Sequence, residues 1–179
     1  MRRHLGVVFH MAIQRLNHAV LYVRDVDRSK RFYLDVLGFR VVNEFRGAAF
    51  LQASGSTNDH DLGIFQIGAQ AEDTDAGRRT VGLYHLAWEV DSLGEFERLA
   101  TVLTDAGALV GSSSHGTTKS LYGKDPDGLE FEIVWIIPAH LLTEADTTPT
   151  GGPQQLDIAA EIARFGRDEI SGVGISTPA

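Results

Sequence analysis

Hydrophobic and polar residues alternate in two stretches of the chain, at 16–23 and at 83–90. Successive side chains of a β-strand point to opposite faces, so this alternation predicts two half-buried strands. In the first, Ala19, Leu21 and Val23 form the apolar face. Both strands should therefore pack one face on a core and turn the other face away from it.

A helix is predicted after each of these strands, at 27–37 and at 92–105, because apolar residues then recur at helical spacing. Asp27 is the expected N-cap of the first helix. Gly38 and Gly107 follow the two helices, and glycine commonly ends a helix in a left-handed conformation. The apolar residues are Phe32, Leu34, Val36 and Leu37 in the first helix, and Leu93, Phe96, Leu99, Ala100 and Leu103 in the second.

The order of strand, helix, glycine and strand thus occurs twice, which indicates a duplicated module. Further strands are predicted at 48–53, 62–67, 120–122 and 130–136. We expect an α+β fold in which two βαβββ modules form a curled mixed sheet around a cavity, with the helices outside.

The chain is expected to form one domain of 14–138, with modules at about 14–68 and 81–138 and a polar surface linker at 69–80. Residues 1–13 would be an N-terminal extension, and Met11 is an alternative start of translation.

Residues 139–179 are expected to form a C-terminal tail with a helix at about 155–168, preceded by a turn-rich segment at 147–153. One side of that helix would pack on the domain or on a second subunit. Disorder is expected for 171–179. The apolar side consists of Leu156, Ala159, Ile162, Ala163 and Phe165.

Composition limits the classes of function. The 179 residues carry a net charge of −8, which disfavours a nucleic-acid partner because such binding draws on Lys and Arg. The absence of cysteine excludes disulfides and thiolate metal sites. No apolar run reaches about 18 residues, so we expect no membrane span and a cytoplasmic protein.

Two histidines and a carboxylate occupy related positions in the predicted strands. His18 and His85 begin the alternating parts of their strands, and Glu132 lies in the last strand. Strand parity turns all three away from the helix-packing faces. A lone strand histidine is more often packed or exposed than a ligand, but three such residues at matching positions favour a metal site. Two His and one carboxylate are typical of non-heme iron.

Two motifs carry a family resemblance. The helix end Arg31–Phe39, and the turn Asp125-Pro126-Asp127-Gly128 ahead of Glu132, resemble the vicinal oxygen chelate superfamily over roughly 14–138. That superfamily includes glyoxalase I, bleomycin and fosfomycin resistance proteins, methylmalonyl-CoA epimerase and type I extradiol dioxygenases. The resemblance implies that the cavity holds a metal ion.

Three further residues are most similar to the pattern of one-domain type I extradiol (catechol 2,3-) dioxygenases. His60 lies in a segment like the one that carries the acid/base histidine, and His115 and Tyr122 precede Glu132 by 17 and 10 residues. The resemblance implies catalytic roles for these three. His60 would accept a proton from the substrate and return one, while His115 and Tyr122 would orient it.

The resemblance also implies that His18, His85 and Glu132 bind Fe(II), with Mn(II) as the alternative metal. The substrates would be a catechol-type molecule and O₂, which would give a semialdehyde, and the assembly would be a homodimer or a higher homo-oligomer. The familiar extradiol enzymes have four modules, whereas only two are predicted here. The interval from His60 to His85 is also longer than in those enzymes.

Two other functions stay open. One is a glyoxalase I-like metal-dependent lyase or isomerase with four protein ligands, for which Gln66 or His60 would supply the fourth. The other is a metal-free antibiotic-binding resistance protein. That alternative gives His18, His85 and Glu132 no reason to share a face.

Overall fold

The computed structural model describes residues 15–172, and residues 1–14 and 173–179 lie outside this range. The first module forms a four-stranded mixed sheet in the order β1-β4-β3-β2, with β1 parallel to β4. One helix packs against it. The elements are β1 (Ala19–Val23), α1 (Val26–Asp35), β2 (Arg40–Phe45), β3 (Ala48–Gln52) and β4 (Leu62–Gln66).

The second module repeats this topology in the order β5-β8-β7-β6, again with its first and last strands parallel. The predicted α+β fold of two βαβββ modules is confirmed, and its eight strands are divided between two sheets that do not close. The elements are β5 (His85–Glu89), α2 (Leu93–Asp105), β6 (Leu109–Ser114), β7 (Thr118–Lys124) and β8 (Glu130–Ile136).

The first helix begins earlier than predicted. Asp25, in an extended conformation, is the N-cap, because its carboxylate accepts hydrogen bonds from the backbone N–H groups of Asp27 and Arg28. The prediction of Asp27 as the cap is therefore wrong by two residues. Gly38 and Gly107 follow the two helices with φ angles of +73° and +64°, as the sequence predicts.

Both alternating strands begin later in the structure than the alternation at 16–23 and 83–90 predicts. β1 begins at Ala19, where pairing with Leu62 starts, so His18 immediately precedes the strand. β5 begins at His85. β7 extends over Thr118–Lys124 and is longer than predicted, because seven of its residues pair with β8.

The predicted strand parity is confirmed. Leu21 and Val23 are buried, whereas Val20 and Tyr22 on the opposite face of β1 are 52% and 71% exposed. In β8, alternate residues are buried in the same way. These buried residues are Phe131, Ile133 and Trp135.

Helix α1 of the first module packs against the second module. Its Phe32 packs on Phe131, with ring centroids 5.9 Å apart. Asp127, in the turn before β8, accepts hydrogen bonds from Arg24, Arg28 and Ser29 of the first module. This network fixes the start of β8 against the first module.

The second carboxylate of the same turn is also engaged. Tyr33 donates a hydrogen bond to Asp125 at 3.2 Å, and Asp125 accepts the backbone N–H groups of Asp127 and Leu129. Burial raises the pKa of Asp125 above its ordinary value. The motif Asp125-Pro126-Asp127-Gly128 therefore acts as a contact between modules as well as a turn.

The tail packs on the second module. A 3₁₀ turn at Ala139–Leu141 and a short helix, α3 (Glu144–Thr147), precede α4 (Ile158–Phe165), which is shorter than predicted at both ends. Phe165 lies on Trp135, with ring centroids 5.3 Å apart. Ala159 and Ala163, predicted to face the domain, are exposed. Ile158 contacts the core of the second module instead.

The predicted disorder of 171–179 is wrong for Ser171. Its hydroxyl donates to Glu89 at 2.6 Å and accepts from the backbone N–H of Ile136. Residues 173–179 and the predicted extension of 1–13 lie outside the described range. Within 15–172, no helix has both the length and the hydrophobicity needed to cross a bilayer.

Candidate metal centre and catalytic residues

His85 and Glu132 form the centre of the candidate site. They lie on the outward faces of the adjacent parallel strands β5 and β8, and Nε2 of His85 is 3.1 Å from Oε2 of Glu132. Their side chains are 24% and 15% exposed, so both remain accessible to a small ligand at the face of the sheet.

This pair fits a divalent metal ion. Two ligand atoms bound at about 2.1 Å and at a right angle to each other are separated by about 3 Å. The separation of Nε2 and Oε2 is close to that value. An imidazole nitrogen and a carboxylate oxygen also suit iron and manganese. Nδ1 of His85 is buried without a hydrogen-bond partner among the described residues, so Nε2 is the nitrogen directed at the candidate ion.

Tyr122 and His115 lie beside this pair. Tyr122 is the partner of Glu132 in the register of β7 and β8. Its hydroxyl is 2.8 Å from Nε2 of His115, which follows the end of β6. The ring centroids of Tyr122 and His85 are 6.0 Å apart. The second module therefore brings together four of the six residues predicted from the sequence.

Two residues of this cluster were not predicted. The Ser113 hydroxyl is 2.9 Å from Nε2 of His115 and donates to the Tyr122 hydroxyl at 3.4 Å. The Tyr84 ring lies 4.6 Å from that of His85, and the charge of Glu130 raises the pKa of Tyr84. A tyrosine next to a candidate ligand is a signal in the sequence, whereas nothing there distinguishes Ser113 from Ser112 and Ser114.

The first module holds the other two predicted residues. The rings of His18 and His60 are 4.4 Å apart, and Phe50 packs edge-on against His60 at 5.1 Å. Nδ1 of His60 is 3.2 Å from Asp59. The backbone N–H of His60 donates to the Asp59 carboxylate, and this bond lowers the pKa of Asp59. His60 is thus held in place against an apolar ring.

The six residues consequently occupy two clusters. His18 and His60 lie on the first module, and His85, His115, Tyr122 and Glu132 lie on the second. Across residues 15–172 of one chain, no three His, Asp or Glu side chains form a group that could hold a single metal ion. The predicted grouping of His18 with His85 and Glu132 therefore does not form within one chain of this structure, and that ligand set stays a prediction.

The family model described as Glyoxalase/Bleomycin resistance protein/Dioxygenase superfamily matches residues 15–133. The chain belongs to this superfamily. It is a largely enzymatic family, and its members typically bind a divalent metal and small-molecule substrates.

Relatives with different activities resemble the chain. It is 35% identical over 122 residues to biphenyl-2,3-diol 1,2-dioxygenase 3 of Rhodococcus globerulus. This match covers 66% of the chain and 62% of that protein. It is 30% identical over 118 residues to catechol-2,3-dioxygenase of Bacillus subtilis (strain 168), covering 66% and 40%. A lactoylglutathione lyase of Neisseria meningitidis is 29% identical over 128 residues, covering 67% and 89%. The chain thus spans less than two thirds of either dioxygenase.

Solved structures share the fold. A glyoxylase/bleomycin resistance protein/dioxygenase domain from Frankia sp. EAN1pec has a TM-score of 0.58 at 22% identity, covering 72% of this chain and 96% of that one. A fosfomycin resistance protein from Mesorhizobium loti has a TM-score of 0.50 at 24% identity, covering 68% and 92%. At these identities the likeness extends to the fold alone.

Proposed function

We propose that the protein is an Fe(II)-dependent extradiol dioxygenase that cleaves a catechol-type ring with O₂ and gives a semialdehyde. The observation that carries the proposal is the cluster on the second module, where a histidine and a carboxylate at metal-ligand separation lie beside the His115–Tyr122 pair. The similarity to two dioxygenases supports the same chemistry. Mn(II) is the alternative metal.

The overall reaction balances without an external reductant. Both atoms of O₂ enter the product, and the ring bond between one hydroxyl-bearing carbon and its neighbour without a hydroxyl breaks. A bound Fe(II) would supply adjacent positions for the two substrate oxygens and for O₂, and would lower the pKa of a bound hydroxyl. His85 and Glu132 are the residues that would hold it on this module.

His115 and Tyr122 would orient the substrate. Nε2 of His115 and the Tyr122 hydroxyl are 2.8 Å apart, so one of them donates to the other. When Nε2 of His115 carries a proton and is the donor of this hydrogen bond, the hydroxyl hydrogen of Tyr122 is free to bond to a substrate oxygen. In this arrangement Ser113 also donates a hydrogen bond to the Tyr122 hydroxyl, at 3.4 Å.

His60 would move the proton. An imidazole near neutral pH can both accept and donate one, as a general acid–base residue requires. Phe50 packs edge-on against the ring of His60, and the Asp59 carboxylate lies 3.2 Å from its Nδ1. His18 lies against the same ring, so the acid–base residue and the proposed third metal ligand are held together on the first module.

We further propose that two copies of the chain complete the site. His18 and His60 on one copy would face His85 and Glu132 on the other, since one chain holds these residues in separate clusters. The exposed Val20 and Tyr22 on the same face as His18 support burial of that face against another surface.

Complementation tests the two-copy site. The variants His18→Ala and Glu132→Ala should each be inactive, but a mixture should recover activity, because the mixed dimer contains one site without either substitution. Sedimentation velocity should show a dimer. Inactivity of the mixture, with mixed dimers demonstrated by differential tagging, would rule out the two-copy site.

The activity itself is tested by anaerobic loading with Fe(II), followed by O₂ and a panel of catechols. A yellow semialdehyde with matching O₂ consumption is expected. Tight nickel or zinc binding, without turnover of any catechol, would overturn the dioxygenase proposal.

A glyoxalase I-like lyase or isomerase is the second candidate. The chain covers 89% of the length of the related lactoylglutathione lyase, which is more than it covers of either dioxygenase. Gln66 does not suit the role of fourth ligand, because its Oε1 accepts the backbone N–H of Val26 at 3.1 Å, at the start of α1. His60 would then be the fourth ligand. Turnover of a hemithioacetal with nickel or zinc bound, and none of catechols, would favour this candidate.

A further inference from the structure

The tail contacts the hairpin turn that carries His115. The family match ends at residue 133, and the tail, of which the structure describes residues 139–172, lies beyond it. The hairpin turn, taken as residues 114–119, includes the last residue of β6 and the first two residues of β7. Three separate contacts join the two segments.

The first contact is a backbone pairing. Ser114 and Gln154 exchange both backbone hydrogen bonds, at 2.9 Å and 2.8 Å, and form an isolated antiparallel bridge. β6 is an edge strand of its sheet, so Gln154 covers the last residue of that edge. The residue next to His115 is therefore fixed by the tail.

The second contact is a buried ion pair. Lys119, only 3% exposed, places its ammonium 2.8 Å from the carboxylate of Glu161 on α4 and donates to the Ser114 hydroxyl at 2.9 Å. A buried lysine that lost its anionic partner would leave an uncompensated charge in the core. Lys119 thus ties the start of β7, the end of β6 and the tail helix together.

The third contact is a close approach at Gly116. Its φ of +79° favours glycine, and a Cβ at this position would collide with the backbone oxygen of Asp146 in α3. Arg164 binds the Asp146 carboxylate at 2.6 Å and 2.7 Å, which fixes α3 to α4. The tail therefore packs directly on the turn.

We propose that the tail positions His115, and through it Tyr122, and that Lys119 is the positioning residue that couples tail and site. This inference rests on the proposed function, in which those two residues orient the substrate. Within residues 15–172, no hydrogen bond or ion pair joins the tail or Lys119 to His85 or Glu132. A loosened tail should therefore disturb substrate orientation, which is sensitive to displacements of about 1 Å, and spare the metal.

The test uses two full-length variants that act by different routes. Glu161→Gln removes the charge opposite Lys119, and Gly116→Ala pushes the turn away from Asp146. Glu95→Gln is the control, because it removes a surface pair with Arg98 on α2, away from the hairpin. Circular dichroism and thermal unfolding establish that each variant is folded before it is used.

Three quantities are measured. In both test variants the hairpin amides of 115–118 should exchange faster with deuterium, and amides of β5 and β8 should not. Mn(II) affinity should stay within a factor of about two, whereas the affinity of the Mn(II)-loaded protein for 4-nitrocatechol should fall about tenfold or more. Glu95→Gln should behave as the wild type in all three.

Unchanged exchange at the hairpin, or faster exchange with unchanged 4-nitrocatechol affinity, would overturn the inference. If the loaded wild type does not bind 4-nitrocatechol, the proposed function fails instead. The positioning role is then decided by NMR, from the nuclear Overhauser contact between the His115 and Tyr122 rings. Its loss in Glu161→Gln supports the role, and its persistence contradicts it.

Discussion

Tyr122 on β7 lies directly opposite Glu132 on β8 in the antiparallel register. Opposed residues share a face of the sheet, so the tyrosine and the carboxylate project to the same side. A slip of one residue would turn Tyr122 toward the core. The register of these two strands, together with the parallel pairing of β5 and β8, thus brings Tyr122, Glu132 and His85 to one face of the second sheet.

Replacing either residue of the candidate metal pair should abolish tight metal binding. Substitution of residues that only support metal ligands typically costs 10–100-fold in affinity, so we expect a loss of more than about 100-fold in His85→Ala and in Glu132→Ala. Competition against a chelator of known affinity, with Mn(II) as the ion, measures the change.

The matched control is Glu130→Gln, which neutralises a carboxylate two residues earlier on the same strand face. Its metal affinity should stay close to that of the wild type. Wild-type affinity in Glu132→Ala would show that the metal is held elsewhere.

His60→Ala should separate catalysis from metal binding. Because His60 is proposed to transfer a proton, its loss should lower kcat by about 10²–10⁴-fold while metal remains bound. O₂ consumption with a saturating catechol gives kcat, and metal analysis of the same sample gives occupancy. Asp59→Asn, which removes the neighbouring carboxylate, serves as the control and should have a much smaller effect. A kcat reduced equally in both variants would argue against acid–base catalysis by His60.

Local patterns in the sequence predict much of this architecture. Alternation predicts that Val20 and Tyr22 lie opposite the core face of β1, and they do. The same parity places His85 and Glu132 on one side of the second sheet. These properties follow from residues close together in the chain, whose geometry is fixed by the strand itself.

Other features depend on contacts that no local pattern records. Ser113 joins the site because β6 shifts register against β7 between Leu109 and Gly111, which strand parity alone does not reveal. The pairing of Ser114 with Gln154 involves residues 40 positions apart. The distance between the His18 and His85 clusters depends on how the modules pack, and the repeat in the sequence does not determine that.

Gly123→Ala should destabilise the second module. The ring of Phe131 lies over Gly123 on the neighbouring strand, and a Cβ there would overlap the ring. Overpacking of this kind costs about 1–3 kcal/mol in the free energy of unfolding. Gly111→Ala is the control, since its Cβ would meet the Tyr122 ring at 3.9 Å, an ordinary contact. Urea unfolding of both variants measures the difference, and equal stabilities would contradict the packing of Phe131 on Gly123.

The stability of the tail should depend on acid pH through Asp146. Hydrogen bonds from Arg164 hold the pKa of this buried carboxyl well below its ordinary value, with further hydrogen bonds from Thr143. A lowered folded-state pKa means that the stabilisation is complete above the unfolded value of about 3.9 and is lost as the pH falls below it.

Asp146→Asn should therefore cost about 1.5–3 kcal/mol in the free energy of unfolding at pH 7. It should also lose less stability than the wild type between pH 5 and pH 2.5, as measured by urea unfolding at each pH. Asp168→Asn, which changes an exposed residue of the same tail, is the control and should retain the wild-type dependence of stability on pH. A pH profile in Asp146→Asn equal to that of the wild type would contradict the role assigned to the pairing of Asp146 with Arg164.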